Sequence, residues 1–207
     1  MYQAEYLGRT IVSYHKDIND IINRRKMFKW EIFLEDAKDK IVVDIGAHIG
    51  LFTLLYAPVA KKIYALEPHP ECYKCLVTNT KDYKNVIPVE KALSTSDGKG
   101  KLYLDVYGSG GHSLKKVSNV VSIVEVETVR WDTFLKEYNI KEVDLLKLHV
   151  EGLEAEIIQD MKYFPRRIIV SYWHGYTGQI PKVEELLLER NYKIIDRDVE
   201  NVYAVKD

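Results

Sequence analysis

Three polar side chains alternate at the end of an apolar run, "DLLKLHVEG" at 144–152: Lys147, His149 and Glu151. In an extended chain every second residue faces the same side. A strand here therefore ends with a lysine, an imidazole and a carboxylate on one edge. Buried groups of this kind need partners, and a Lys147–Glu151 ion pair would satisfy two of them. The chemistry they suit is proton transfer. A hydroxyl is a poor nucleophile until it gives up its proton, and a base within hydrogen-bond reach helps by roughly 10²–10⁴-fold. His149, with a reference pKa of about 6.5, fits that task near neutrality, with Glu151 orienting it or binding the acceptor. The run "IIVSYWHG" brings His174 to the same edge. Two histidines and a carboxylate can also hold a divalent metal; the base is preferred, and no metal is assigned.

A second constellation lies upstream. "IVVDIGAHIG" is a buried strand ending at Asp44, followed by Gly46 and Gly50 and then a helix. Gly46 permits a tight turn and a close ligand approach, and the helix start offers free N–H groups to an anion. A second strand, "KKIYALEP", ends at Glu67, twenty-one residues after Gly46. A carboxylate there can accept two hydrogen bonds from a ribose diol. The ligand is thus nucleoside-containing. A dinucleotide fits poorly, because His48 occupies the second position of G-x-G-x-x-G. An acid two residues before the glycine suits an ammonium group instead. S-adenosylmethionine carries the ammonium, a carboxylate and the ribose.

Two smaller motifs need placing. Cys72 and Cys75 form a C-x-x-C and are the only cysteines. Zinc needs further ligands, so the pair is read as one buried stripe of a helix. The loop "VYGSGGHSL" holds Ser109, His112 and Ser113 among glycines; it is read as a mobile substrate lid or a plain hairpin tip, and not as the G-x-S-x-G elbow of a hydrolase.

The elements that must carry these residues alternate β and α over most of the chain. This predicts an α/β fold, with a mainly parallel sheet and helices on both faces. Two alternating runs, "GKLYLDVYG" and "SIVEVETVR", predict an inserted antiparallel β-hairpin. "YKIIDR" and "NVYAVKD" predict an antiparallel C-terminal edge. Residues 1–40 read as an N-terminal helical extension packed on the core, and 41–207 as a single domain. Ligands on such sheets bind at the carboxyl ends of the strands.

Bulk composition narrows the class. The chain has 207 residues, is 46% hydrophobic and 29% charged, and carries a net charge of −1. That is ordinary for a globular protein and gives no electrostatic case for nucleic acid. The basic patch "NRRKMFKW" at 23–30 is read as the solvated face of a helix. No run reaches membrane-spanning length. The N-terminus lacks the order of a signal peptide, so a cytoplasmic location is expected.

Five segments, "VVDIGAHIGLFTLLYA", "ALEPHPECYKCLVTN", "EKALSTSDGKGKLYL", "RWDTFLKEY" and "DLLKLHVEGLEAEII", together resemble the FkbM family of S-adenosylmethionine-dependent methyltransferases, from about Val42 to Ile158. The resemblance implies the class I methyltransferase (Rossmann-like) fold and transfer to a hydroxyl of a sugar or other small metabolite. It places Asp44, Gly46, Ala47, Gly50 and Thr53 at the cofactor, Thr53 through a hydroxyl meeting the methionine carboxylate. It places Glu67 at the ribose, with Pro68, His69 and Ala92 at the adenine. Ala92 is expected to end the third strand. Two residues depart from the pattern. His48 replaces a small polar residue and is read as a solvent-facing turn histidine, and His149 replaces an aspartate. Alternatives are a tRNA or other nucleic-acid methyltransferase and a cofactor-binding protein without transferase activity. The absence of Asp/Asn-Pro-Pro-Tyr/Phe after the fourth strand argues against methylation of a base amino group.

Overall fold

The computed structural model describes residues 1–105, 112–115, 120–172 and 179–207. In chain order the elements are β1 (Tyr2–Tyr6), β2 (Arg9–Ser13), α1 (Ile18–Arg25), a 3₁₀ turn (Trp30–Phe33), β3 (Ile41–Ile45), α2 (Leu51–Tyr56), β4 (Lys62–Leu66), α3 (Pro70–Thr80) and β5 (Val86–Val89). There follow β6 (Ala92–Leu93), β7 (Gly98–Asp105), β8 (Val120–Val129), α4 (Trp131–Glu137), β9 (Leu145–Leu148), α5 (Glu154–Asp160), β10 (Arg167–Ser171), α6 (Gln179–Glu189), β11 (Lys193–Arg197) and β12 (Asn201–Val205).

The main sheet has the order β11-β12-β10-β9-β3-β4-β5. β3, β4, β5, β9 and β10 run parallel. β12 lies antiparallel between β10 and β11, giving the expected C-terminal edge. Strand order reverses between β3 and β9, so the crevice at their carboxyl ends is the natural binding place.

Alternation of side chains builds a core on each face. Val43, Ile45, Leu146 and Leu148 pack with Trp131, Phe134, Ile157 and Leu187 from α4, α5 and α6. Val42, Ile63, Leu145 and Ile169 pack with Ile18, Ile22, Phe33, Phe52 and Leu54 on the other side. Helices therefore cover both faces, as their apolar sides require.

The N-terminal forty residues are not wholly helical. β1 and β2 form an antiparallel hairpin whose turn residues Leu7 and Gly8 have φ of 50° and 70°. This is the two-residue geometry that matches strand twist. The hairpin docks on α3: Asn79 Oδ1 accepts from Val12 N at 2.8 Å and its Nδ2 donates to Val12 O at 2.9 Å. The inserted hairpin exists as β7 and β8, but with β6 it makes a separate three-stranded sheet. Ala92 consequently does not end the third strand. β5 stops at Val89, and a tight turn in which Lys91 N donates to Val89 O (3.0 Å) sends the chain into the second sheet. Among the described residues no helix is long and apolar enough to cross a membrane.

Candidate active site at the β3–β9 crevice

The loop after β3 is folded by its own backbone. Gly46 and Ala47 both donate to Leu66 O at 2.9 Å, and Gly50 N donates to Ala47 O at 2.9 Å. Gly46 has φ +71°, and a Cβ there would lie 1.9 Å from the carbonyl oxygen of His149. The missing side chain thus admits the end of β9, and Gly46 also lines the cavity. Gly50, at φ +92°, would press a Cβ against Leu76 of α3 at 2.9 Å. α2 has only six residues, so it supplies little dipole to an anion.

Asp44 and Lys147 are register partners on the adjacent strands β3 and β9. Lys147 Nζ sits 3.0 Å from Asp44 Oδ1, with side-chain exposures of 3% and 0%. Nζ also donates to the carbonyls of Gly46 (2.7 Å) and Ile45 (3.2 Å). Burial pulls the lysine pKa down, and Asp44 partly offsets this. Lys147 therefore pairs with Asp44 and not with Glu151. Thr53, fully buried, gives its hydroxyl hydrogen to Asp44 Oδ2 at 2.6 Å. That hydroxyl is committed inside the protein, in place of the expected contact with a methionine carboxylate. Asp44 holds Lys147 and Thr53 and does not line the cavity.

Glu67 does line it. Its Oε2 accepts from His48 N at 2.8 Å and its Oε1 from His69 N at 2.9 Å. Burial raises its pKa to about 7 against the lowering effect of these two bonds. The carboxylate is thus fixed from behind, with its remaining lone pairs open to a ligand. His69 is the N-cap of α3, its Nδ1 accepting from Cys72 N at 3.3 Å, and its ring lies 4.8 Å from that of His112. His48, at φ +55°, is half-buried and faces the cavity, not solvent as expected. Its backbone is turned inward by the bond to Glu67.

At the other end His149 Nε2 and Glu151 Oε1 are 2.7 Å apart, with side chains 8% and 10% exposed. Burial drives the His149 pKa well down, helped by Arg25 and Lys147, and lifts Glu151 to about 8. Burial thus opposes charge on both members of the pair. Glu151 Oε2 is buried with no hydrogen-bond partner among the described residues. Glu151 adopts φ +54°, a strained conformation for a residue with a side chain. The turn is held by Glu154, whose two oxygens accept from Val150 N and Gly152 N at 2.9 Å each. Ser113 adds a hydroxyl bond to the Glu151 carbonyl at 2.7 Å. His174, Ser109 and the glycines 108, 110 and 111 of the expected lid lie outside the described residues.

Glu154 and Arg25 escaped the sequence reading. Glu154 is the first residue of α5 and reaches back to the N–H groups four and two positions before it. Arg25 belongs to the patch read as a solvated face, yet Ile18, Ile22 and Arg25 share an i, i+4, i+7 stripe that turns inward. Its guanidinium lies over the rings of Phe28 and Trp30 at 5.1 and 5.5 Å and reaches the cavity.

The cavity holds about 60 Å³ of water-accessible space and is lined by Glu67, Pro68, Ala92, Leu93, His149 and Glu151. Glu67 brings a carboxylate to this wall, beside the apolar side chains of Pro68, Ala92 and Leu93. The model of the methyltransferase FkbM domain matches residues 44–194. Methyltransferase sdnD of Sordaria araneosa is 30% identical, covering 74% of this chain and 73% of that protein. Hexuronic acid methyltransferase AglP of Haloferax volcanii is 27% identical, covering 76% of this chain and 66% of that one. M. jannaschii TYW2, solved in complex with AdoMet, shares the fold at a TM-score of 0.51 and 17% identity, over 99% of this chain and 86% of that one. With its sheet order, its cavity and these relatives, the chain belongs to the FkbM family of S-adenosylmethionine-dependent methyltransferases, built on the class I methyltransferase fold.

Proposed function

We propose that the chain methylates a hydroxyl oxygen of a small acceptor, a sugar foremost. The observation that carries this reading is the buried His149–Glu151 pair with one carboxylate oxygen unpartnered at the cavity wall. S-adenosylmethionine supplies a methyl group on a positively charged sulfur. Glu67 holds the ribose, and Pro68, Ala92 and Leu93 receive the adenine. The Glu151 carboxylate acts as the base once ionised: Oε2 accepts the hydroxyl hydrogen, while the neutral His149 ring, in its Nε2–H tautomer, donates to Oε1. The proton-accepting atom is therefore on Glu151, with His149 as its partner. Glu154 and Ser113 keep the strained turn in place, so Oε2 stays aimed without reorganising. No residue is assigned to a metal in this step.

A second reading of the acceptor draws support from Arg25. Its Nη1 is buried without a hydrogen-bond partner among the described residues, 4.0 Å from Glu200, at the edge of the same cavity. A guanidinium there suits an acceptor bearing a carboxylate, and AglP is named for a hexuronic acid. Methylation of such a carboxylate needs no base. The two readings separate in one experiment: labelled cofactor is offered with neutral sugars and with uronic acids, and the attachment point of the methyl is read by NMR. Transfer to a hydroxyl supports the first, and ester formation the second. Methyl found only on nitrogen or carbon, or on nucleic acid, overturns both.

A further inference from the structure

Beside the cofactor wall, and separate from the His149–Glu151 pair, three elements bring potential ligands together. His15 comes from the segment between β2 and α1, His48 from the glycine loop, and Cys72 from the first turn of α3. One donor atom from each lies within 4.8 Å of the others. We infer that His15, His48 and Cys72 form a binding site for a zinc-class divalent ion. The donor set, two imidazoles and one thiolate, is borderline-soft and matches zinc. Bonds of about 2.0–2.3 Å on a tetrahedral centre put ligands about 3.3–3.6 Å apart, so the side chains need close by about 1 Å.

One observation supports the site beyond proximity. His15 Nε2 and His48 Nε2 are both buried with no hydrogen-bond partner among the described residues. Buried nitrogens in that state are rare and unfavourable; an ion would satisfy both. Binding at Cys72 would form a metal–sulfur bond and release the thiol proton, with no change of oxidation state.

The Cys-x-x-Cys pair then divides. Cys75 packs into the core with Val42 and Phe52, while Cys72 lines the cavity with His48. His48 also donates its backbone N–H to Glu67. An ion at this place would tie the N-terminal segment to the loop that fixes the ribose acid. A fourth position would be left for water or ligand.

The test uses the full chain, stripped of metal and free of cofactor. Zinc chloride is titrated by calorimetry, and cobalt(II) replaces zinc for absorption spectroscopy. One zinc per chain is expected, with a thiolate-to-cobalt charge-transfer band. His15→Ala and Cys72→Ser should each weaken binding at least tenfold, and Cys72→Ser should abolish the band. Cys75→Ala should retain both. Near-ultraviolet circular dichroism checks folding, and the half-exposed His15 keeps the test valid if Cys72→Ser misfolds. Absence of zinc binding, or affinity unchanged in His15→Ala, overturns the site. Neither result bears on methyl transfer, which is measured separately.

Discussion

Replacing Lys147 by methionine probes the joint between the two halves of the site. Methionine keeps the length and apolar stem but removes the charge. Asp44, 0% exposed, would keep only the Thr53 hydroxyl at 2.6 Å, and the Ile45 and Gly46 carbonyls would lose the donor now at 3.2 and 2.7 Å. Breaking one side of a buried pair costs about 3–5 kcal/mol, because the remaining charge is left uncompensated. At about 2–4 °C per kcal/mol for a chain this size, the melting temperature should drop by about 6–20 °C. Urea unfolding at neutral pH measures the same loss. Asp44→Asn combined with Lys147→Met leaves no lone charge and should recover at least about 2 kcal/mol. A single variant within about 1 kcal/mol of the parent, or a double variant no better than the single, would refute the reasoning.

Glu67→Gln should weaken S-adenosylmethionine binding by about 1–3 kcal/mol, roughly 5–150-fold, as read by calorimetry; equal affinity would remove Glu67 from the ribose. Gly46→Ala must displace the His149 carbonyl and hold alanine at φ +71°, so unfolding should come about 2–5 kcal/mol more easily. Stability should peak near pH 6.5, seen in urea midpoints across pH. His15 and His112 fall from 6.5 to about 4 and about 3, and His48, His69 and His149 are lowered as well, so below that point the unfolded chain binds more protons and stability rises with pH. Glu67, Glu151 and Glu154 rise from 4.5 to about 7, 8 and 7, so the native state binds more protons and stability falls as pH climbs through their window. A midpoint that climbs steadily to pH 8 would contradict these burials.

Periodicity reveals which segments are strands and helices, and their alternation implies a mainly parallel sheet. Register does not follow from it. Nothing local says that Lys147 lies opposite Asp44 rather than reaching along its own strand to Glu151; that depends on which strand becomes its neighbour. The N-terminal hairpin was legible, since Tyr2, Ala4 and Tyr6 alternate before a Leu7-Gly8 turn, but the helical spacing after Ile18 outweighed it. The place of Glu67 at the cavity is legible because it directly follows the second parallel strand, where side chains meet the crevice. The inward turn of His48, the capping role of His69 and the approach of His15 to Cys72 all arise from contacts between distant segments. Composition carries no trace of those contacts. The opposite shifts of His149 and Glu151 also come from packing, since burial disfavours the charged form of each.

Turnover against pH tests the central claim most directly, measured at saturating cofactor with a neutral hydroxyl acceptor. Glu151 must ionise before its Oε2 can act, so the rate should rise with pH through an apparent value of about 8. This lies above the 6.5 region that the imidazole alone would suggest. Glu151→Gln should lower the rate at least tenfold, remove the rise and leave cofactor affinity unchanged. A flat profile in the parent, or a Glu151→Gln enzyme that keeps both rate and profile, would contradict the assignment.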